Sequence, residues 1–235
     1  MRRALVTGAG GAIGRAIVQR LAADGYDVIA ADRDATGLTE ISEVAASTLT
    51  FDVTDDVAVA AALRAVESLD VVVTAAGIGA MAMTASVPAA DWRRTLETNL
   101  TGTFLVCQAA LPALVAAKGC IVTIASSGGL RATPYNAAYN VSKAGVIMLT
   151  KVLAVEHAKD GVRANAVCPS SVRTPFLKGF MPPPEADMEL LKRLSGPAPR
   201  LIETAEVADA VGYLVSPSAA AVTGTTLVLD AGSTS

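Results

Sequence analysis

Short β-branched runs alternate with longer alanine-rich segments along almost the whole of this 235-residue chain. Successive strand-like runs read ALVT, DVIAA, TLTFDV, DVVVTAAG, CIVTIASS, VRANAVCP and TTLVLD, and the helical segments between them span 12–23, 57–67, 91–117 and 137–158. Repeated β–α units of this kind place parallel strands in one sheet with helices on both faces. The sequence therefore predicts a Rossmann-type, doubly wound α/β fold with a seven-stranded parallel sheet. No shift in composition divides residues 1–235 into more than one domain.

Charge and hydropathy argue against two classes of partner. The net charge is −3 and acids and bases are mixed along the chain, so there is no basic stripe to neutralise nucleic-acid phosphates. Two uncharged stretches, 71–90 and 98–117, approach the length of a membrane span. Both contain residues that disfavour a membrane helix, namely Gly77, Gly79 and Pro88 in the first and Asn99, Gln108 and Pro112 in the second. We expect these stretches to be buried in the fold or in a subunit interface.

Cysteine and histidine usage bears on location and on metal binding. Cys107, Cys120 and Cys168 are odd in number and widely spaced, so they indicate neither a disulfide framework nor a metal site. The single histidine, His157, has no ligand companions near it in the sequence. The N-terminal MRRALV runs at once into glycines and leaves no room for the apolar region of a signal peptide. We therefore expect a cytoplasmic protein without a bound metal.

The stretch 170–204 is too long and too rich in proline for an ordinary connection inside a compact domain. Segments of this kind are usually either functional lids or disordered excursions. Four apolar side chains favour a lid because they need a place to bury: Phe176, Leu177, Phe180 and Met181. We predict that 170–204 is a substrate-binding loop.

The first predicted strand runs into a glycine-rich turn and then a helix, in LVTGAGGAIGRA. Glycines let the backbone approach a pyrophosphate, and a helix N-terminus offers N–H groups without intrahelical partners. The spacing of Gly8, Gly10, Gly11 and Gly14 is looser than G-x-G-x-x-G, so the turn alone is a weak signal. It predicts a dinucleotide site only together with supporting residues further along the chain.

Asp32 gives such support because it ends the second predicted strand, where an acid can accept hydrogen bonds from an adenosine ribose. Its charge would repel a ribose 2′-phosphate, which favours NAD over NADP. Arg33 follows immediately and could attract that phosphate instead. Without the preceding glycines, an Asp-Arg pair at this place would be interpreted as an ordinary surface turn.

The segment YNAAYNVSKAG, which begins at Tyr135, places Tyr139 one helical turn before Lys143. Bringing a phenol to a pKa near neutrality requires roughly 4 kcal/mol of stabilisation of the phenolate, to which a neighbouring ammonium contributes. Tyr-x-x-x-Lys alone usually means an exposed helical pair. Here it comes thirteen residues after Ser126, at the end of an apolar strand where parallel sheets carry active-site groups. We assign Tyr135, which has no lysine at the matching spacing, to the wall of the site.

These features occur in an order that resembles the short-chain dehydrogenase/reductase family. The matched segments cover nearly the whole chain and are TGAGGAIG, Asp32, the FDV that ends at Val53, the AAG that ends at Gly77, NLTG from Asn99, Ser126, YNVSK, NAVCPS from Asn165, VTG and LDAG. The departures from the family pattern are Ala12 in place of a second glycine, Thr74-Ala75 in place of two asparagines, and Ser170 in place of the glycine after Pro169. We expect the cofactor site to be kept with local adjustment.

The resemblance implies a catalytic set of Asn99, Ser126, Tyr139 and Lys143. Tyr139 would be the general acid/base, and Ser126 would bind the substrate oxygen. Lys143 would hold the cofactor ribose and tune Tyr139, while Asn99 would hold a water that passes the proton onward. The expected cofactor-binding residues are Gly8, Gly11, Ile13, Gly14, Asp32, Arg33, Asp52, Val53, Ala75, Ala76, Gly77, Tyr139, Lys143, Pro169, Val172 and Thr174. The expected substrate-binding residues are Ser126, Tyr135, Tyr139, Phe176, Leu177, Phe180 and Met181.

The resemblance also implies an activity: interconversion of a small secondary alcohol and its ketone with NAD (NADH), in a homotetramer paired through 98–117 and the helix after Tyr139. Two alternatives stay open, a 3-oxoacyl thioester reductase acting on acyl carrier protein and a non-catalytic nucleotide-sensing protein on the same fold. The former commonly favours NADPH in this family, which Asp32 disfavours. The latter would have no need for the four catalytic residues.

The substrate's distal part is expected to be apolar, because apolar side chains dominate the loop 170–204. Four cations in or beside that loop could instead bind an anionic tail: Arg173, Lys178, Arg193 and Arg200. Isolated charges on a loop are usually solvated, so we favour the apolar substrate.

Overall fold

Seven parallel strands form one sheet in this computed structural model, which describes residues 2–66, 68–194 and 200–234. The strands are β1 (Arg2–Thr7), β2 (Tyr26–Asp32), β3 (Ser47–Thr50), β4 (Val71–Thr74), β5 (Cys120–Ile124), β6 (Arg163–Pro169) and β7 (Thr226–Leu229). Their order across the sheet is β3-β2-β1-β4-β5-β6-β7. The predicted doubly wound α/β fold is confirmed. Its topological switch lies between β1 and β4, where such sheets bind ligands beyond the carboxyl ends of the strands.

The central strands contribute side chains to two cores, one on each face of the sheet. Along β1, Ala4 and Val6 lie in one core and Leu5 lies in the other, and all three are fully buried. The in-register partners of Val6 are Ala30 on β2 and Val73 on β4, which belong to the same core. Burial on both faces explains why these strands are continuous apolar runs in the sequence.

Helices cover both faces of this sheet. They are α1 (Ala12–Ala23), α2 (Ala35–Thr39), α3 (Asp56–Arg64), α4 (Ala89–Leu96), α5 (Gly102–Ala117), α6 (Ala137–Glu156), α7 (Met188–Leu191) and α8 (Thr204–Val215). A π-helical turn, Glu97–Thr101, joins α4 to α5. Ile17 of α1 and Val211 of α8 pack in one core, whereas Val59 of α3 and Leu114 of α5 pack in the other.

Three helices have no counterpart among the predicted elements: α8 and the short α2 and α7. Val207, Val211 and Leu214 are buried and give α8 the spacing of an amphipathic helix. A capping box begins the helix, in which the side chains of Glu203 and Glu206 each accept a hydrogen bond from the other's backbone N–H. Both signals are present in the sequence, but α8 follows directly on the irregular stretch, which hides its beginning.

The irregular stretch 170–204 contains short local structure rather than an extended loop. A 3₁₀ helix spans Pro175–Gly179 and is followed by α7. The two ends of the stretch are tied together, because Ile202 N–H donates to Ser171 O at 2.9 Å and Arg173 N–H donates to Ile202 O at 2.8 Å. Residues 195–199 of the predicted loop lie outside the described residues.

Two helical segments, Ala89–Ala117 and Ala137–Glu156, are long and apolar enough to cross a membrane by length and composition alone. Core helices of soluble proteins pass the same test, and both segments place residues in the cores beside the sheet, such as Val106 and Val146. Their length and hydropathy therefore do not point to a membrane span.

Candidate active site

A cleft of about 930 Å³ opens at the carboxyl ends of the central strands, where the topological switch lies. Most of the predicted site residues line it: Gly8, Gly11, Ile13, Gly14, Asp32, Arg33, Asp52, Val53, Ala75, Ala76, Gly77, Ser126, Tyr139, Lys143, Pro169, Val172, Thr174, Phe176, Leu177 and Phe180. Asn99, Tyr135 and Met181 are not in the lining. One cavity thus brings together the glycine-rich turn, the predicted catalytic groups and the irregular stretch.

The glycine-rich turn fits an anion at one end of the cleft. Gly8 has φ +68°, and a methyl group on Gly14 would overlap Gly8 O, so both positions need glycine. The helix α1 begins after Gly11 without a side-chain cap, so among the described residues no side chain accepts a hydrogen bond from the N–H groups of its first turn. Since Ala12 and Ile13 also line the cleft, this uncapped end suits the pyrophosphate of a dinucleotide.

Asp32 lies beside this turn with its carboxylate fixed by the backbone. It accepts hydrogen bonds from Gly10 N–H at 2.9 Å and Asp34 N–H at 3.0 Å. Arg33 is mostly exposed and its Nη1 lies 3.4 Å from Asp52 Oδ2. Burial acts to raise the pKa of Asp52, but hydrogen bonds from Thr54 and Arg33 outweigh it and lower the pKa. Three carboxylates, those of Asp32, Asp34 and Asp52, therefore line this end of the cleft, and Arg33 already lies close to Asp52.

The departures from the family pattern leave the backbone contacts of the cleft in place. Ala75 N–H donates to Thr7 O at 3.1 Å, and Ser170 N–H donates to Leu229 O at 2.9 Å. Thr74 pairs with Thr7 across β1 and β4, and both buried hydroxyls have no partner among the described residues. The substitution by Thr74 therefore places an unmatched hydroxyl behind the cleft, with no structural reason that we can identify.

Ser126 and Tyr139 approach the cleft from two different elements. Ser126 follows β5, and its Oγ accepts a hydrogen bond from Gly128 N–H at 3.1 Å. Tyr139 lies in the first turn of α6. Burial raises the pKa of the Tyr139 phenol, and interaction with the Ser126 hydroxyl opposes this only in part. Lys143 therefore does not by itself produce the lowered phenol pKa that the sequence suggests.

Lys143 is 5% exposed and its Nζ donates to Ile124 O at 2.7 Å. The ammonium lies 5.9 Å from the centre of the Tyr139 ring. Burial lowers the pKa of Lys143 to about 8, and the Cys168 thiol nearby opposes that shift. The predicted pair is thus present one turn apart, as a buried ammonium behind a phenol that lines the cleft.

Asn99 is fully buried within the π-helical turn, behind the cleft rather than in its wall. Its Oδ1 accepts from Ile78 N–H at 2.8 Å, and its Nδ2 donates to Ile78 O at 2.9 Å and to Ser142 Oγ at 3.0 Å. The Ser142 hydroxyl in turn donates to Tyr139 O at 2.7 Å. The side chain of Asn99 therefore ties the loop after β4 to α6, and its amide groups are already engaged by protein.

The irregular stretch 170–204, called the lid below, covers Tyr139 with aromatic rings. Phe180 packs edge-on against Tyr139 with ring centres 5.1 Å apart, and Phe176 lies 5.2 Å from Phe180. Gly79 faces this lid, and a methyl group there would overlap the Phe180 ring. A methyl group on Gly179 would in turn lie 2.9 Å from Gly79 O. The lid can therefore pack this closely against the site because residues 79 and 179 are both glycine.

Two residues predicted to bind substrate lie elsewhere. Met181 is 70% exposed and does not line the cleft, although Phe180 beside it does. Tyr135 has φ +65°, an unusual conformation for a residue with a side chain, and its hydroxyl accepts from Asp187 N–H at 2.7 Å. Tyr135 therefore fastens the lid from outside the cleft instead of forming its wall.

The cleft also has lining residues outside the predicted set, notably Arg131, Thr133, Asn136, Ser233 and Thr234. The first three lie in the connection between Ser126 and Tyr139. Since both ends of that connection were predicted to be in the site, its interior could have been predicted as well. Ser233 and Thr234 follow the matched segment LDAG and carry no comparable signal.

Among the described side chains, none of the predicted loop cations lines the cleft. Arg173 pairs with Glu203 at 2.8 Å and Arg200 pairs with Glu206 at 2.7 Å. Lys178 is exposed and absent from the lining, and the side chain of Arg193 lies outside the described part of the structure. The described loop therefore offers no cation for an anionic substrate tail.

The chain is similar to known proteins both in sequence and in fold. A family model described as "Enoyl-(Acyl carrier protein) reductase" matches residues 8–234. An uncharacterized short-chain type dehydrogenase/reductase of Sinorhizobium fredii is 39% identical over 97% of this chain, which spans 43% of that protein. A 2-(R)-hydroxypropyl-CoM dehydrogenase of Xanthobacter autotrophicus is 36% identical over 97% of both chains. The crystal structure of a 3-ketoacyl-(acyl-carrier-protein) reductase from Brucella melitensis complexed with NADH has a TM-score of 0.91 and 30% identity, covering 100% of this chain and 98% of that one.

Proposed function

Because the chain belongs to the short-chain dehydrogenase/reductase family, we propose that it is an NAD(H)-dependent oxidoreductase that interconverts a small secondary alcohol and its ketone. The observation that carries the proposal is the meeting of Ser126, Tyr139 and the glycine-rich turn in one cleft, with Lys143 buried behind Tyr139. The similarity to 2-(R)-hydroxypropyl-CoM dehydrogenase supports a secondary alcohol as the reacting group.

In this proposal the uncapped N-terminus of α1 would bind the cofactor pyrophosphate, and Asp32 would bind the adenosine ribose. Asp52 and Val53 would hold the adenine end, the backbone of 75–77 would bind the middle of the dinucleotide, and Lys143 would hold the second ribose. Pro169, Val172 and Thr174 would hold the nicotinamide end. A bound nicotinamide would supply a hydride acceptor for oxidation of the alcohol and a hydride donor for reduction of the ketone.

The residues of this chain handle the substrate oxygen and its proton. The hydroxyl of Ser126 holds the oxygen by a hydrogen bond, and the hydroxyl of Tyr139 takes its proton during oxidation and gives one back during reduction. The buried ammonium of Lys143 stabilises the phenolate that forms on Tyr139. The aromatic lid of 170–204 keeps water from the reacting atoms. Since the side chain of Asn99 is engaged by Ile78 and Ser142, the predicted water would have to bind at the backbone carbonyl of Asn99, which also accepts from the Thr103 hydroxyl at 2.8 Å.

A panel of secondary alcohols and ketones, assayed with both cofactors by absorbance of the reduced nicotinamide, tests the proposal directly. The 3-oxoacyl thioester alternative is supported by the matched family model and by the Brucella reductase. An acetoacetyl thioester reduced far more efficiently than small ketones would favour that alternative. Absence of turnover with every substrate, despite cofactor binding, would favour a nucleotide-sensing protein.

We expect the unmodified protein to bind NADH more tightly than NADPH. A 2′-phosphate would meet Asp32 and Asp34, while Arg33 already faces Asp52. Because like charges placed together cost several kcal/mol, Asp32→Ser should shift the affinity ratio toward NADPH by about 10-fold or more. Fluorescence titration with both reduced cofactors measures this ratio.

The control for this experiment is Asp27→Ser, which removes a carboxylate from the opposite end of the same strand, away from the cleft. This variant should keep the ratio of the unmodified protein. Tighter binding of NADPH before any substitution would overturn the assignment of NAD.

We further propose that the protein is a homotetramer. Five apolar side chains on α5 and α6 are between 41% and 78% exposed: Phe104, Val141, Met148, Val152 and Val155. Those of α6 share one helical face, and isologous pairing of such faces would remove them from water. The three free thiols are buried, in keeping with a reducing compartment, so the proposal places the enzyme in the cytoplasm.

Light scattering at micromolar concentration should give about four times the chain mass of 23.8 kDa. The double variant Met148→Asp/Val152→Asp should dissociate, since burying two carboxylates in an interface without partners is unfavourable. Val57→Asp, at an apolar residue that is 73% exposed on α3, should leave the mass unchanged. A monomeric mass for the unmodified protein would contradict the tetramer.

A further inference from the structure

The charged side chains that line the cleft differ in how they are neutralised. At the dinucleotide end, Arg15 pairs with Glu40 and Arg33 lies near Asp52. Arg131 also lines the cleft, but no carboxylate among the described residues lies within 4 Å of its guanidinium. Arg131 therefore brings a positive charge into the cleft that the described protein does not balance.

The hydrogen bonds around Arg131 fix its place without using up its donors. One nitrogen, Nη1, donates to the backbone oxygen of Ser233. A guanidinium carries several further N–H groups, and in the described residues these have no acceptor. Asp230 is the nearest acid along that segment, but its carboxylate accepts from Gly232 and Thr234 instead. The remaining donors of Arg131 are therefore available to a ligand.

The backbone holds Arg131 on the same connection as the reacting groups. Arg131 N–H donates to Ser127 O at 3.0 Å, one residue after Ser126. Further along, Thr133 and Asn140 of α6 exchange hydrogen bonds of 3.0 and 3.1 Å. The guanidinium is thus carried by a segment fixed at one end to Ser126 and at the other to the helix of Tyr139. A substrate held at Ser126 and Tyr139 would therefore share the cleft with this cation and with the aromatic rings of the lid, all of which line it.

We propose that Arg131 binds the carboxylate of the substrate, so that the preferred substrates are hydroxy acids and the corresponding keto acids. The planar fork of a guanidinium matches a carboxylate, and low polarity on the lid side strengthens the attraction. This proposal rests on the proposed function for the reacting end of the molecule. It replaces the expectation of a wholly apolar substrate, and it assigns the anion site to the connection after Ser126 rather than to the cations of 170–204.

The test uses binding without turnover, because oxidised cofactor and a ketone have no hydride to exchange. The protein saturated with NAD⁺ is titrated calorimetrically with 4-oxopentanoate and 5-oxohexanoate, and with the neutral amide of each. We expect at least one keto acid to bind ~10-fold more tightly than its amide, a difference that one charge-assisted hydrogen-bonded pair can supply. In Arg131→Met and in Arg131→Gln, the acid-to-amide ratio should fall to about 1, and NAD⁺ affinity reports that each variant is folded.

Arg173→Met serves as the matched control, because Arg173 is a cation of the loop that pairs with Glu203 outside the cleft. It should keep the ratio of the unmodified protein. Equal affinities for acid and amide in the unmodified protein would overturn the proposal. It would also be overturned if the acid-to-amide affinity ratio stayed the same in the Arg131 variants, or if it fell to about 1 in Arg173→Met. Turnover of neutral alcohols without any preference for acids would reject the anion site alone. Selective binding of keto acids through Arg131 without turnover of any alcohol would reject the proposed function alone.

Discussion

Tyr139→Phe is expected to lower kcat by about 10³-fold or more, in line with the 10²–10⁴-fold contribution of a positioned general acid/base. The phenol lines the cleft, and its ring packs against Phe180 at a centre distance of 5.1 Å. Phenylalanine keeps this packing and removes only the group that transfers the proton. The affinity for NADH should therefore remain within about 2-fold, because the ring of Tyr139 still lines the cleft and all the other expected cofactor-binding residues are kept. Single-turnover kinetics and fluorescence titration give the two quantities separately.

Tyr135→Phe is the matched control, since it removes the other hydroxyl of the same segment. That hydroxyl accepts from Asp187 N–H outside the cleft, so its loss should loosen the lid and leave most of the turnover. Near-normal turnover in Tyr139→Phe, or complete loss in Tyr135→Phe, would contradict the assignment. Because burial raises the pKa of Tyr139, alcohol oxidation, which needs the phenolate, should become faster with pH below that pKa, while ketone reduction should decrease only where the phenol begins to lose its proton.

Lys143→Met should have two opposite effects, a loss of activity of about 10²-fold and a gain in the stability of the protein without cofactor. The ammonium is buried, and its pKa falls from 10.5 to about 8, which corresponds to an unfavourable burial of about 3 kcal/mol at neutral pH. Methionine removes this charge but leaves Ile124 O without its donor, at a cost of about 1–3 kcal/mol. The net gain in the free energy of unfolding should therefore be small. The change in how that free energy depends on pH should be clear.

The sign of that pH dependence follows from proton binding. Between pH 8 and 10.5 the unfolded chain keeps the lysine proton that the folded protein has lost, so this group makes the native state more stable as pH rises. The difference in unfolding free energy between the unmodified protein and Lys143→Met should shift by about 3 kcal/mol across this interval. Lys151→Met, on the exposed side of the same helix, should show no such shift. If the difference in unfolding free energy between the unmodified protein and Lys143→Met did not change with pH, the ammonium would be solvated rather than buried.

The fold is predictable from the sequence wherever burial leaves a periodic pattern. The strand β4 is VVVT because both of its faces are covered, and the predicted helix 12–23 coincides with α1. The cleft was predictable because chemistry restricts residue type: a turn that brings Gly14 against Gly8 O allows no side chain. Tyr139 and Lys143 meet because a helix alone fixes their spacing.

Other parts of the site depend on contacts between distant segments, which periodicity does not encode. Tyr135 lies four residues from Tyr139, yet a left-handed backbone conformation turns it toward Asp187. Asn99 lies in a π-helical turn that no local pattern predicts, and its partner Ile78 belongs to another loop. Arg131 lines the cleft with its guanidinium donating to the backbone oxygen of Ser233, a residue 102 positions away in the chain. Each of these depends on tertiary contacts that form only once the sheet is assembled.

The contact of the lid with Gly79 has a consequence for redesigning the range of substrates. The clearance above Tyr139 depends on how closely Phe180 can descend, and it can do so only because residue 79 has no side chain. A Cβ on residue 79 would overlap the Phe180 ring and lie 2.8 Å from Cδ2 of the Tyr139 ring, so an alanine or serine there would displace both rings. Position 79 therefore couples the width of the entrance to the placement of the reacting phenol. A substitution at 79 that makes room for bulkier ketones, with every lid residue retained, would also shift that phenol and reduce the shielding of the reacting carbon.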